Sequence, residues 1–129
     1  MSLKPDPIKP ISQLLAVQDT SSLVSEVTDE TFDAEVLKST LPVLVDFWSP
    51  RCGHCKMANP RVELLANDFN GKLKVVKLNV DENEKTTSDY GISSIPTFIL
   101  FKAGQKLDQT HGLQTKKALS SFLLRWLLR

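Results

Sequence analysis

Cys52 and Cys55 are the only cysteines in the 129 residues, and they stand three positions apart in the run Phe47-Trp48-Ser49-Pro50-Arg51-Cys52-Gly53-His54-Cys55-Lys56. The residues before them are apolar and β-branched, and those after carry apolar side chains at helical spacing. The pair therefore falls where a strand gives way to a helix. At a helix start, unsatisfied N–H groups and the positive end of the macrodipole favour a thiolate, drawing the first thiol below its free pKa of about 8.5. Cys52 is the expected nucleophile. Cys55, one turn further on, is expected to be more buried and to resolve a mixed disulfide by attacking Cys52. The chemistry implied is thiol–disulfide exchange, with the Cys52–Cys55 dithiol/disulfide as redox centre and no other cofactor.

Two further uses of these residues stay open on sequence grounds. The thiols can serve as small apolar core residues. They can also join His54 and His111 around zinc, although His54 lies between the cysteines and no second closely spaced pair exists. The expectation is that no metal is held.

The elements that must position the pair follow from periodicity and punctuation. Residues 23–27 read as a short strand, and Thr28 or Asp29 offers an N-cap for a helix reaching about residue 38. Residues 42–48 form an apolar run expected to be a central strand covered on both faces. Ala58, Val62, Leu65 and Phe69 predict a helix over 53–69, kinked at Pro60. Residues 73–80 read as a second buried strand and 82–90 as a short helix closed by Gly91. Pro96 opens a strand through Lys102, Ala103-Gly104 makes a turn, and 106–110 supplies its hairpin partner. Leu119, Phe122, Leu123, Trp126 and Leu127 stripe a last helix, with Thr115 as its cap. The class is α/β, with a mixed central sheet flanked by helices.

Composition excludes several functions. An apolar fraction of 41% and a charged fraction of 24% are ordinary for a globular chain. Sixteen basic and fifteen acidic residues give a formal charge of +1, which supplies no field for nucleic acid or anionic lipid. No apolar run approaches the roughly 20 residues of a membrane span. Residues 11–17 are interrupted too early for a signal peptide, so the expected location is the cytoplasm. There, two cysteines are expected to cycle rather than to staple. Pro5, Pro7 and Pro10 mark residues 1–22 as a flexible N-terminal extension, with 11–17 able to form a short helix. Residues 23–129 are read as one domain, expected to be monomeric.

Five ordered blocks carry a resemblance: Val45-Asp46-Phe47-Trp48, Cys52-Gly53-His54-Cys55-Lys56, Lys77-Leu78-Asn79-Val80-Asp81, Gly91-Ile92-Ser93-Ser94-Ile95-Pro96-Thr97-Phe98 and Phe101-Lys102-Ala103-Gly104. In order and spacing they resemble the thioredoxin family. The resemblance implies a thioredoxin fold and a protein-disulfide reductase, acting on protein disulfides and recharged by an NADPH-dependent thioredoxin reductase. It assigns Asp46 the role of a buried carboxylate that moves the proton of the resolving thiol. Burial raises the pKa of such a group, and the Lys77 ammonium opposes the rise. By periodicity alone, Asp46 reads nearly as well as an edge-facing carboxylate and Lys77 as a solvated strand residue. The resemblance also places the Trp48 ring beside the site, implies a cis Ile95–Pro96 bond that presents backbone to an extended substrate, and assigns Gly112 to substrate approach.

The chain departs from the family in one place. Thioredoxins usually carry Trp-Cys-Gly-Pro-Cys, whereas this chain keeps Gly53 but has Arg51 before Cys52 and His54 before Cys55. Positive charge from Arg51 and His54 would stabilise the thiolate and make the couple more oxidising. The alternative is that His54 is a solvated helix residue with little effect. Cys-Gly-His-Cys resembles the site of protein disulfide isomerases, so a dithiol oxidase or isomerase is the nearest alternative function. A redox-independent binding module on the same fold is the more distant one.

Overall fold

The computed structural model describes residues 22–128. The expectations for the extension and for a helix at 11–17 lie outside the described residues. Ser22, assigned to that extension, is tied down: its hydroxyl lies 2.8 Å from both carboxylate oxygens of Glu63.

The elements alternate as expected, in the order β1 (Val24–Glu26), α1 (Asp33–Leu37), β2 (Val43–Trp48), α2 (Gly53–Asp68), β3 (Lys74–Asn79), α3 (Glu84–Asp89), β4 (Thr97–Lys102), β5 (Gln105–His111) and α4 (Lys116–Leu127). The strands make one five-stranded sheet in the order β1-β3-β2-β4-β5. β1 and β2 run parallel to β3, while β4 is antiparallel to β2 and β5. The sheet is therefore mixed.

Coverage of both faces explains why β2 lacks apolar–polar alternation. Leu44, Val75, Phe98 and Leu100 meet Ala58, Val62 and Leu65 of α2 and Leu119, Phe122 and Leu123 of α4 on one face. On the other, Val43, Val45, Phe47, Val76, Leu78, Ile99 and Phe101 pack with Val27, Phe32 and Val36, against partly buried Tyr90. Phe101 meets Phe32 and Tyr90 edge-on at centroid distances of 5.6 and 5.2 Å, a favourable arrangement for ring quadrupoles.

Two local expectations hold for the physical reasons given. Thr115 caps α4, its hydroxyl accepting from Ala118 N–H at 3.0 Å. Ala103 and Gly104 both take positive φ, 53° and 79°, the pairing that a two-residue hairpin turn needs.

The first helix is a correction. In place of a regular helix to residue 38, turns over 29–31 lead into a five-residue helix of π type. Thr28 does cap the turn, since its hydroxyl accepts from Thr31 N–H and the Thr31 hydroxyl accepts from Thr28 N–H. Asp29 caps a different helix. Its carboxylate accepts from the N–H groups of Lys85 and Thr86, at 3.2 and 2.9 Å, at the start of α3. Burial pulls the Asp29 carboxyl upward, but these bonds prevail and hold it below its usual range.

Candidate active site

β2 ends at Trp48, and a tight turn delivers Cys52 to the N-cap of α2. The turn is held by Ser49, whose buried hydroxyl donates to Asp81 Oδ2 at 2.6 Å and accepts from Arg51 N–H at 3.2 Å. Cys52 N–H closes it by donating to Ser49 C=O. Asp81 also binds the Arg51 guanidinium at 3.1 Å, and the bonds from Ser49 and Arg51 hold its carboxyl below the usual range.

Cys52 and Cys55 are joined as a disulfide, with Cα atoms 5.2 Å apart. The sulfur of Cys52 is itself the helix cap, accepting from Cys55 N–H at 3.1 Å. An N–H aimed at sulfur from a helix start is the arrangement that stabilises negative charge there. Cys52 is half-buried and Cys55 is buried at 1% exposure, so Cys52 is the more accessible of the two.

Opposite Cys52 lies the loop before β4. The Ile95–Pro96 bond is cis, and Ile95 C=O stands 3.8 Å from Cys52 Sγ. Thr97 fastens the loop by donating its hydroxyl to Ser94 C=O at 2.6 Å, and Gly112 N–H donates to Pro96 C=O at 2.8 Å. Gly112 has φ of 82°, a conformation that L side chains rarely adopt. Its small profile lies next to the loop that faces the Cys52 sulfur.

Asp46, Lys77 and Trp48 share the sheet face covered by α2. Asp46 follows Leu44 by two residues on β2, and Cys55 opens the buried stripe of α2 that continues through Ala58 and Val62. Asp46 is 1% exposed, and neither of its carboxylate oxygens receives a hydrogen bond. Burial pushes its pKa up to about 7, against the pull of Lys77 and with a further push from Glu26. Lys77 is its register partner, but the ammonium lies 4.6 Å from the centroid of the Trp48 ring. The indole N–H donates to Glu26 Oε2 at 3.3 Å.

The remaining expected residues are placed differently. Gly53 is the first residue of α2, with open space around its Cα. His54 is exposed on α2, and Arg51 spends its charge on Asp81, so the structure lends no support to a more oxidising couple. His111 sits on β5, 3.2 Å from the Thr97 hydroxyl. Among the described residues no group of three or more His, Cys, Asp or Glu side chains is arranged to hold a metal, and no helix is long and apolar enough to cross a membrane. Sequence reasoning missed Glu26, Ser49 and Asp81. Asp81 ends one of the five blocks, but nothing local signals its bond to Ser49.

Comparison with known proteins covers nearly all of this architecture. The thioredoxin family model matches residues 23–125. Thioredoxin 1 of Nostoc sp. is 53% identical over 102 residues, covering 79% of this chain and 95% of that protein. Thioredoxin of Synechocystis sp. is 50% identical over 106 residues, 82% of this chain and 99% of that protein. Thioredoxin of Rickettsia typhi is 50% identical over 101 residues, 78% and 96% of the two chains. None of these relatives favours an oxidase, isomerase or redox-independent reading. Similarity of this reach, laid over a disulfide at the mouth of a helix, makes the chain a member of the thioredoxin family and a thiol–disulfide oxidoreductase.

Proposed function

We propose that the chain works as a reductase of protein disulfides, with Cys52 as attacking and Cys55 as resolving thiol. In the dithiol form the Cys52 thiolate attacks a substrate disulfide, forming a Cys52–substrate bond as the substrate S–S bond breaks. The first substrate sulfur leaves and takes up a proton. Cys55 then gives its proton to Asp46, attacks Cys52 Sγ and expels the second substrate sulfur. Two electrons pass to the substrate, and the chain keeps the Cys52–Cys55 disulfide. The disulfide is the only redox group the cycle needs.

The observation that carries this reading is the Cys52 sulfur in the N-cap position, receiving the Cys55 N–H at 3.1 Å, with the more buried sulfur one turn behind. A carboxylate with pKa about 7 on the face beneath α2 suits a general base near neutral pH. Lys77 opposes the rise of that pKa and so sets its position. Trp48 shields the site. Ile95, Pro96 and Gly112 offer backbone to an extended peptide, and the missing N–H of Pro96 leaves nothing to donate toward the sulfurs. Regeneration by an NADPH-dependent thioredoxin reductase, a cytoplasmic setting and a monomeric chain complete the proposal. Residues 23–129 are taken as the working domain and 1–22 as its extension.

Insulin reduction with dithiothreitol as donor tests it. The chain is expected to speed precipitation of the insulin B chain well above the donor alone. Equal rates with and without the chain would end the reductase reading.

A further inference from the structure

Glu26, Lys77 and Asp46 form one row across three strands. Glu26 is paired in register with Lys77 on β3, and Lys77 with Asp46 on β2. Register partners in a sheet share a face, so all three side chains rise on the side covered by α2. Trp48, two residues beyond Asp46, stands on that side as well. Its indole N–H reaches Glu26 on β1, so the ring leaves β2, crosses β3 and ends on the sheet edge. Lys77 is on the strand that the ring crosses, and its ammonium sits against that ring at 4.6 Å from the centroid.

A carboxylate that accepts the indole N–H adds electron density to the ring, which strengthens the attraction for a cation on its face. It also lies on the far side of Lys77 from Asp46 and draws the ammonium the same way. Asp46 is left with no hydrogen bond and no ion pair within 4.0 Å among the described residues. We propose that Glu26 is a positioning residue for the proton step. By holding the Trp48 ring across β3 it keeps the Lys77 ammonium on the indole and away from Asp46. Asp46 is thereby kept able to take the Cys55 proton at neutral pH. This assignment rests on the reductase reading for its purpose, and on geometry alone for its wiring.

Lys77 comes from β3, Asp46 from β2 and Glu82 from the turn after β3, which also acts on Glu26. β4 places Phe98 opposite Asp46, and α2 contributes Cys55, which does not titrate in the disulfide. Glu26 is an exposed residue, yet partial burial of its carboxyl raises it above the usual range, against the indole bond and Lys77 and with a further push from Glu82. Both Glu26 and Asp46 therefore sense charge on Lys77, and removing the Glu26 charge frees the ammonium for Asp46.

The test is a carboxyl-carbon NMR titration of Asp46 in the oxidised protein, for the wild type, Glu26→Gln and Glu26→Ala. Gln keeps an acceptor for the indole and removes the charge, whereas Ala removes both. The Asp46 midpoint is expected to fall by about half a unit or more in Glu26→Gln and further in Glu26→Ala. The Trp48 indole resonance should move most in Glu26→Ala. The acid limb of the pH–rate profile for insulin reduction should move down by the same amount. An Asp46 midpoint unchanged within about 0.2 units in both variants would overturn the proposal, as would an indole resonance indifferent to Glu26→Ala. A wild-type chain inactive on insulin whose Asp46 still shifts in the variants would support this wiring and overturn only the reductase reading.

Discussion

Asp46 and Lys77 are register partners on adjacent strands, yet the Lys77 ammonium lies on the Trp48 ring at 4.6 Å and leaves the Asp46 carboxylate without a bond. An unpaired buried carboxylate resists ionisation, and its pKa of about 7 expresses that resistance.

This relationship fixes how stability depends on pH. The carboxyl binds its proton more tightly folded than unfolded, so its contribution worsens as pH rises from roughly 4 to roughly 7. Above that window the full cost is present, roughly 4 kcal/mol for a shift of this size. Asp46→Asn is therefore expected to stabilise the oxidised protein by up to that amount at about pH 8, with the gain fading toward about pH 4. Urea unfolding at both pH values checks this. A gain of the same size at both would mean that buried charge is not the cause. The variant should also resolve mixed disulfides more slowly.

The two cysteines should fail in different ways. Cys52→Ser is expected to lower insulin reduction at least about a hundredfold, because no sulfur remains at the helix mouth to attack. Cys55→Ser should still attack and then stall, leaving a covalent adduct on Cys52. Mass spectrometry reads the adduct directly, and its absence after exposure to a disulfide substrate would exchange the two roles.

Arg51 separates local charge from effective charge. Its guanidinium is exposed and bound to Asp81 at 3.1 Å, so its field at Cys52 is largely compensated. Arg51→Ala is expected to shift the reduction potential by no more than about 20 mV, the equivalent of a weak surface pair. Equilibration with glutathione buffers measures it. A larger shift to more reducing values would restore the oxidising contribution expected from the sequence.

Gly112 and Gly53 make a matched pair of tests. Added methyl groups at either would meet open space, but only Gly112 has positive φ, 82°. Gly112→Ala is expected to cost about 1 kcal/mol or more, as an L residue resists that conformation. Gly53→Ala, at the start of α2, should be neutral or gain a few tenths of a kcal/mol. Thermal unfolding of the two variants compares them, and equal losses would mean that backbone conformation is not what distinguishes the sites.

Much of this protein is decided within short stretches of chain. The apolar run at 42–48 is a buried strand, because a strand covered on both faces has no need of polar alternation. Thr115 caps α4 and Ala103-Gly104 turns the hairpin because caps and two-residue turns are satisfied by neighbours in sequence. Cys52 and Cys55 were legible for the same reason: one helical turn brings both sulfurs together whatever the rest of the fold does.

Tertiary structure alone decided the partners that tune them. The Glu26 bond to Trp48 spans 22 residues, the Ser49 bond to Asp81 spans 32 and the Asp29 cap on Thr86 spans 57. Local pattern offers Thr28 or Asp29 as cap for the helix that follows, but the folded chain brings α3 to the Asp29 carboxylate. Burial of Asp46 likewise depends on α2 lying over β2, and the position of Lys77 on a ring that crosses its strand depends on the order β1-β3-β2. Short-range periodicity carries no record of such meetings, because hydrogen bonds and Coulomb forces act across space between segments that only the completed sheet makes adjacent.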